Sequence, residues 1–135
     1  MFQRPHKIDA FVIAVGNITF GGTGKTPLSL ALARHYQALI LMRGYKGTAS
    51  KSFTFETEDP GTWTNRGKKS KIVGDEAIIY LMSKIPVLIG ANRFKAWKKY
   101  PESHRKIVVL DDGLQHNTIV KNFQICCIDA SAPLA

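Results

Sequence analysis

No apolar run in this sequence approaches the roughly 20 residues that a membrane-spanning helix needs. The run "AFVIAV" ends at Gly16, and the ten residues that open the chain, "MFQRPHKIDA", are too polar for a signal peptide. Cysteine is scarce as well. Cys126 and Cys127 are the two present, adjacent in "FQICCIDA". Neighbouring side chains on a strand point to opposite faces, which suits neither a mutual disulfide nor a shared metal. Two buried free thiols in a reducing, cytosolic compartment are therefore expected. Carboxylates are few, ten Asp and Glu against 19 Lys and Arg, and the net charge of +9 favours anionic partners: nucleotide, nucleic acid or acidic headgroups. No RNP, zinc-finger or helix-turn-helix signature accompanies that charge, so nucleic acid is not expected. Internal repeats and low-complexity segments are missing too, and 135 residues with seven Phe, four Tyr and two Trp can build one domain, residues 1–135.

What is present alternates. "AFVIAVG" reads as a strand buried on both faces, "TPLSLALARHYQ" as a helix with Pro27 in its first turn, and "ALILMRGY" as a second strand. Residues 46–71 are polar and rich in Gly, Pro, Thr and Lys, and read as a long surface connection. "GDEAIIYLMSK" starts a helix, "PVLIGA" is a short strand, "NRFKAWKKY" a short basic helix, and "KIVVLDDG" and "FQICCIDA" are the last strands. Strand–helix alternation predicts an α/β fold, P-loop NTPase-like, its mostly parallel sheet covered by helices on both faces. Ligands of such sheets bind at the carboxyl ends of the strands. The glycine loop, Arg43-Gly44 and Asp111-Asp112 all follow strand ends and should share that edge.

"VGNITFGGTGKTP" carries the most specific chemistry. A phosphate loop needs glycines that let successive N–H groups turn toward an anion, a lysine for the β- and γ-phosphates, and a hydroxyl for Mg²⁺. Gly21, Gly22, Thr23 and Gly24 supply the cradle, Lys25 the cation and Thr26 the hydroxyl, between a buried strand and a helix. Thr19 stands where the strict G-x-x-x-x-G-K-[ST] pattern has its first glycine. The bland alternative is a tight turn whose lysine faces solvent. Strand, loop, G-K-T and helix together favour a phosphate loop.

A P-loop kinase also needs a carboxylate beyond an apolar strand to hold the water shell of Mg²⁺. "IVVLDDGLQH" offers Asp111 and Asp112, of which one should face the metal directly because the two point to opposite sides of an extended segment. Gln115 and His116 follow, either to orient a nucleophile or phosphate or as satisfied structural residues. Asp75 and Glu76 sit at a helix start, where capping is the favoured reading and a catalytic carboxylate the alternative.

With these residues in view, the sequence resembles the tetraacyldisaccharide 4'-kinases of lipid A biosynthesis. "VGNITFGGTGKTP" is similar to that family's variant phosphate loop, which also lacks the first glycine. "LMRGYKG" resembles its L-S-R-G-Y-G segment, "VGDEA" its V-G-D-E-P and "LDDGLQH" its D-D-G-[FL]-Q-H, in the same order and spread over residues 11–129. The resemblance implies transfer of the γ-phosphate of ATP, with Mg²⁺, to the 4'-hydroxyl of a tetraacyldisaccharide 1-phosphate at the cytoplasmic face of the inner membrane. It implies that Lys25 and Thr26 hold phosphates and metal, that Asp75 is the catalytic carboxylate, that Asp111 and Asp112 serve Mg²⁺, and that Gln115 and His116 line the site. Lys25, Asp75, Asp112 and His116 are thus the candidate catalytic residues. The family's second domain follows the double-Asp segment, so these 135 residues correspond to the nucleotide half, with the lipid half and the apolar N-terminal helix not represented. Ala77 and Met42 replace the family's proline and serine. A non-catalytic ATP-binding module is the competing expectation, and a basic P-loop protein switching on nucleic acid or a membrane is a third.

Two basic runs remain, "RGKKSK" at residues 66–71 and residues 93–106. They read as solvated surface or as attraction to anionic lipid headgroups. Phe94 and Trp97 within the second suit either an interface or the inner face of its helix.

Overall fold

Runs that read as apolar form the centre of one sheet. The computed structural model describes residues 4–17, 24–43, 53–55, 75–90, 92–99, 105–114 and 118–129. Along β1 (Phe11–Asn17), Ile13 and Val15 enter one core cluster while Val12 and Ala14 enter the other, the alternation that a strand covered on both faces requires. Then come α1 (Lys25–Tyr36), β2 (Leu39–Met42), β3 (Phe53–Phe55), α2 (Asp75–Met82), β4 (Val87–Ile89), α3 (Arg93–Lys99), β5 (Ile107–Asp111) and β6 (Phe123–Cys127).

The sheet runs β3-β4-β2-β5-β1-β6, and every pairing is parallel except that of β3 with β4. One face is covered by α1 and α2, through Ala33, Ala77, Tyr80 and Leu81. On the other, Ala96 and Trp97 of α3 pack with Ile8 and Ile119. The expected architecture is therefore observed. Chain order also places the crevice: β1 connects through α1 to β2, passing β5, while β5 connects to β6, passing β1. β1 and β5 are neighbours, with Val15 opposite Asp111, so the segments leaving them part at the carboxyl edge.

Two expectations need correction, and one open reading is resolved. Residues 53–55 lie in the stretch read as surface connection, yet they form an antiparallel edge strand, Phe53 opposite Ile89 and Phe55 opposite Val87. Aromatic residues flanking a β-branched threonine have the local preference for this. Its brevity hid it. Cys126 is exposed and Cys127 half-buried, both free; among the described residues β6 is an outer strand, paired with β1 on one side. Trp97 is buried, which settles its role as core.

α1 ends at Gln37 in the left-handed region, φ +52°, with Ala38 N–H bonded to the Ala33 carbonyl at 2.9 Å. Arg34 and His35 in its last turn complement the helix dipole. Ser29 is fully buried on this helix and its hydroxyl has no hydrogen-bond partner among the described residues. Ser29→Ala removes that unsatisfied group and raises helix propensity, so it should stabilise the chain by about 1 kcal/mol. A thermal melt in which the variant unfolds below the parent would contradict this.

Candidate functional site

At the end of β1 the chain must enter α1, and Gly24 is the residue that turns it. Its φ of +82° lies in the left-handed region, although a side chain there would meet nothing within 4 Å. Conformation, not space, therefore calls for glycine. Gly24 is the N-cap of α1, with no side-chain cap and no acidic residue in the first turn. The N–H groups at this helix start carry a partial positive charge and are not taken by a capping side chain, the condition for holding an anion. Thr26, half-buried, is the second residue of α1. Gly21, Gly22 and Thr23 lie outside the described residues.

The double-Asp segment meets this loop from the neighbouring strand. Asp111 ends β5 and is 1% exposed. Asp112 then takes φ +56°, and the Gly113 N–H returns to the Val15 carbonyl at 3.0 Å, tying the turn to β1. The turn divides the two carboxylates as alternation suggested: Asp111 goes inward, while Asp112, 67% exposed, faces the phosphate-loop lysine, Lys25 Nζ to Asp112 Oδ1 at 3.4 Å. Lys25 is 15% exposed, but its partner carboxylate is mostly in solvent, so the pair is screened from one side and contributes about 1 kcal/mol to stability. Its value is positional.

Arg93 was not singled out by the sequence. It opens α3 after Asn92, whose Oδ1 accepts the Lys95 N–H at 3.0 Å, and it is 6% exposed. Its Nη2 donates to the backbone carbonyl of Asp111 at 2.9 Å. Burial pulls its guanidinium below the ordinary arginine range against the opposing charges of Asp111 and Asp112, and Arg43 adds to the lowering. One signal could have found it: like Arg43, it follows a strand end, but its basic neighbours made it look like part of a solvated run. Lys121 steadies the far side of the turn, donating to the Leu114 carbonyl at 2.8 Å. Burial and the nearby Arg93 charge draw its ammonium below the usual lysine range.

Thus four strand ends contribute to one edge: Gly24, Lys25 and Thr26 after β1, Arg43 after β2, Arg93 after β4, and Asp111-Asp112 at β5. Asp75 is the first residue of α2, whose Ala77 and Tyr80 pack in the same core cluster as α1. Its side chain, like Gln115 and His116, lies outside the described residues, as does the basic run 66–71. Among the described residues no group of three or more His, Cys, Asp or Glu could hold a metal alone. The donor set present, one or two carboxylates beside a hydroxyl, suits Mg²⁺ carried in with phosphates rather than an all-protein cage. No helix among them is long and apolar enough to cross a membrane.

Comparison with known proteins identifies the family and the fold. The sequence matches the family described as LpxK, tetraacyldisaccharide-1-P 4'-kinase, over residues 1–135. The tetraacyldisaccharide 4'-kinase of Stenotrophomonas maltophilia is 37% identical over 96% of this chain and 38% of its own length. That of Chlamydia trachomatis is 39% identical over 97% and 36%. Among solved structures, the "apo" form of LpxK from Aquifex aeolicus in complex with ATP superposes with a TM-score of 0.71 at 27% identity, covering 92% of this chain and 40% of that one. The chain thus spans about two fifths of the length of these relatives.

Proposed function

The chain belongs to the tetraacyldisaccharide-1-P 4'-kinase family, and from that premise we propose that it binds ATP with Mg²⁺ and serves transfer of the γ-phosphate to the 4'-hydroxyl of a tetraacyldisaccharide 1-phosphate. The observation that carries this is the juxtaposition of Lys25 and Asp112 at 3.4 Å, beside a helix start held by a left-handed glycine. The N–H groups of the loop and of the first turn of α1 hold the phosphates, and Lys25 turns from Asp112 toward the β- and γ-phosphates. Thr26 and the carboxylate pair would hold Mg²⁺, which would offset phosphate charge during transfer. Asp75 accepts the proton of the 4'-hydroxyl as its oxygen bonds to the γ-phosphorus and the bond to the ADP oxygen breaks. His116 and Gln115 line the site, as the family resemblance implies. The site faces the cytoplasm at the inner membrane, where exposed Lys95 and Lys98 of α3 suit anionic headgroups.

A second reading follows from the share of the relatives that is covered: these residues bind ATP without transferring phosphate. Calorimetry with ATP, with and without Mg²⁺, and phosphorylation of the tetraacyldisaccharide 1-phosphate beside a full-length relative separate the two. Mg²⁺-enhanced ATP binding together with phosphorylated lipid supports the kinase. Binding without product supports the module, and no binding ends both.

A further inference from the structure

Among the cavities, exposed apolar side chains, free thiols and charged clusters outside the phosphate loop, the feature carried furthest is the buried cation behind the carboxylates. Arg93 belongs to α3, which follows β4, yet its guanidinium reaches the end of β5. β2 lies between those strands, so Arg93 links the β4 side of the sheet to the end of β5. The pairing of β2 with β5 stops at Leu41 opposite Leu110. One residue further, Arg93 supplies the Asp111 carbonyl with a donor from the β2 side, while on the other side the register continues through Val15 opposite Asp111.

We propose that Arg93 is a positioning residue for the carboxylate pair: by holding the Asp111 peptide at 2.9 Å, it sets the turn from which Asp112 faces Lys25 and the metal. The inference rests on the reading of Asp111 and Asp112 as the Mg²⁺ carboxylates. Burying a cation is costly, and an apolar residue of similar volume often packs as well or better. A guanidinium is suited to this place because it is planar and long, with several donors in a fixed fork, so it can clamp a carbonyl while facing two carboxylates. A lysine supplies the charge but not the fork.

The test is the Mg²⁺ enhancement of ATP affinity, measured by calorimetry in chelator and in saturating Mg²⁺ for the parent, Arg93→Met and Arg93→Lys, with circular dichroism on each. Removing a group that orients a metal ligand typically costs 10–100-fold in metal affinity. Arg93→Met should thus lose about tenfold or more of the enhancement while Mg²⁺-free ATP binds as in the parent, and Arg93→Lys should recover part of it. An enhancement equal to the parent's in Arg93→Met overturns the proposal, as does an equal loss with and without Mg²⁺, which is what a merely structural arginine would give. If Arg93→Met does not fold, Arg93→Lys decides: a reduced enhancement supports the proposal and an unchanged one overturns it. A parent chain that binds ATP without any Mg²⁺ enhancement overturns the reading of the carboxylates themselves, and the inference with it.

Discussion

Lys25→Met should bind ATP about a hundredfold more weakly than the parent, about 2.7 kcal/mol, with little change in melting temperature. The affinity loss follows from removing a charge-assisted donor aimed at phosphates, in a site where helix-start amides supply the remaining contacts. The small stability effect follows from the other partner. Lys25 meets Asp112 at 3.4 Å, but Asp112 is 67% exposed, and solvent discounts such a pair to about 1 kcal/mol. Calorimetry and a thermal melt on the same preparation check both halves. If Lys25→Met binds ATP as the parent does, the glycine segment is only a turn and Lys25 a surface lysine.

The same pair gives nucleotide and metal a reason to bind together. Without ligands, Lys25 and Asp112 neutralise each other. On the proposed roles, phosphates would draw the ammonium away and leave Asp112 to face Mg²⁺. Separation costs little on the Asp112 side, which solvent screens, and phosphates replace the carboxylate as partner of the 15%-exposed Lys25. A fully buried pair would resist separation.

How much of this could be read from residues alone depends on whether the signal was local. The buried strands were legible: β1, β2 and β5 are apolar runs, and each run's alternation assigns its residues to two core faces. The shared edge was legible too, since Gly24-Lys25, Arg43 and Asp111-Asp112 follow such runs. Three features were not, because they depend on pairing. Phe53–Phe55 is a strand only because β4 offers it an open edge. Cys126 is exposed because, among the described residues, β6 has a neighbour on one side alone. Arg93 looked like one more cation in a basic run, and its burial follows from α3 starting where the ends of β4, β2 and β5 lie side by side. Trp97 was legible only as an ambiguity. A helix with an apolar aromatic among lysines has an inner face, but the sequence does not say whether protein or membrane covers it.

Gly113→Ala tests the other half of the site, the turn that presents Asp112. A Cβ added at Gly113 would lie 2.6 Å from the Leu110 Cβ, 3.0 Å from the Leu110 carbonyl oxygen and 3.1 Å from the Ala14 Cβ. Leu110 and Ala14 are fully buried in central strands, and none of these atoms is the free end of a flexible side chain. Relief must come from moving the turn, which strains the Gly113 N–H bond to Val15 at 3.0 Å. Overpacking of this kind costs about 1–3 kcal/mol, so the variant should melt about 5–15 °C below the parent. Gly16→Ala is the control: its nearest clash is the Leu114 Cγ at 2.7 Å, on a half-buried side chain that can swing aside, and its loss should be the smaller. The displaced turn carries Asp112 with it, so the Gly113→Ala chain that remains folded should also lose Mg²⁺ enhancement of ATP binding while keeping Lys25 in place. A variant as stable as the parent, with its enhancement intact, would mean that the carboxylate turn is looser than its contacts require.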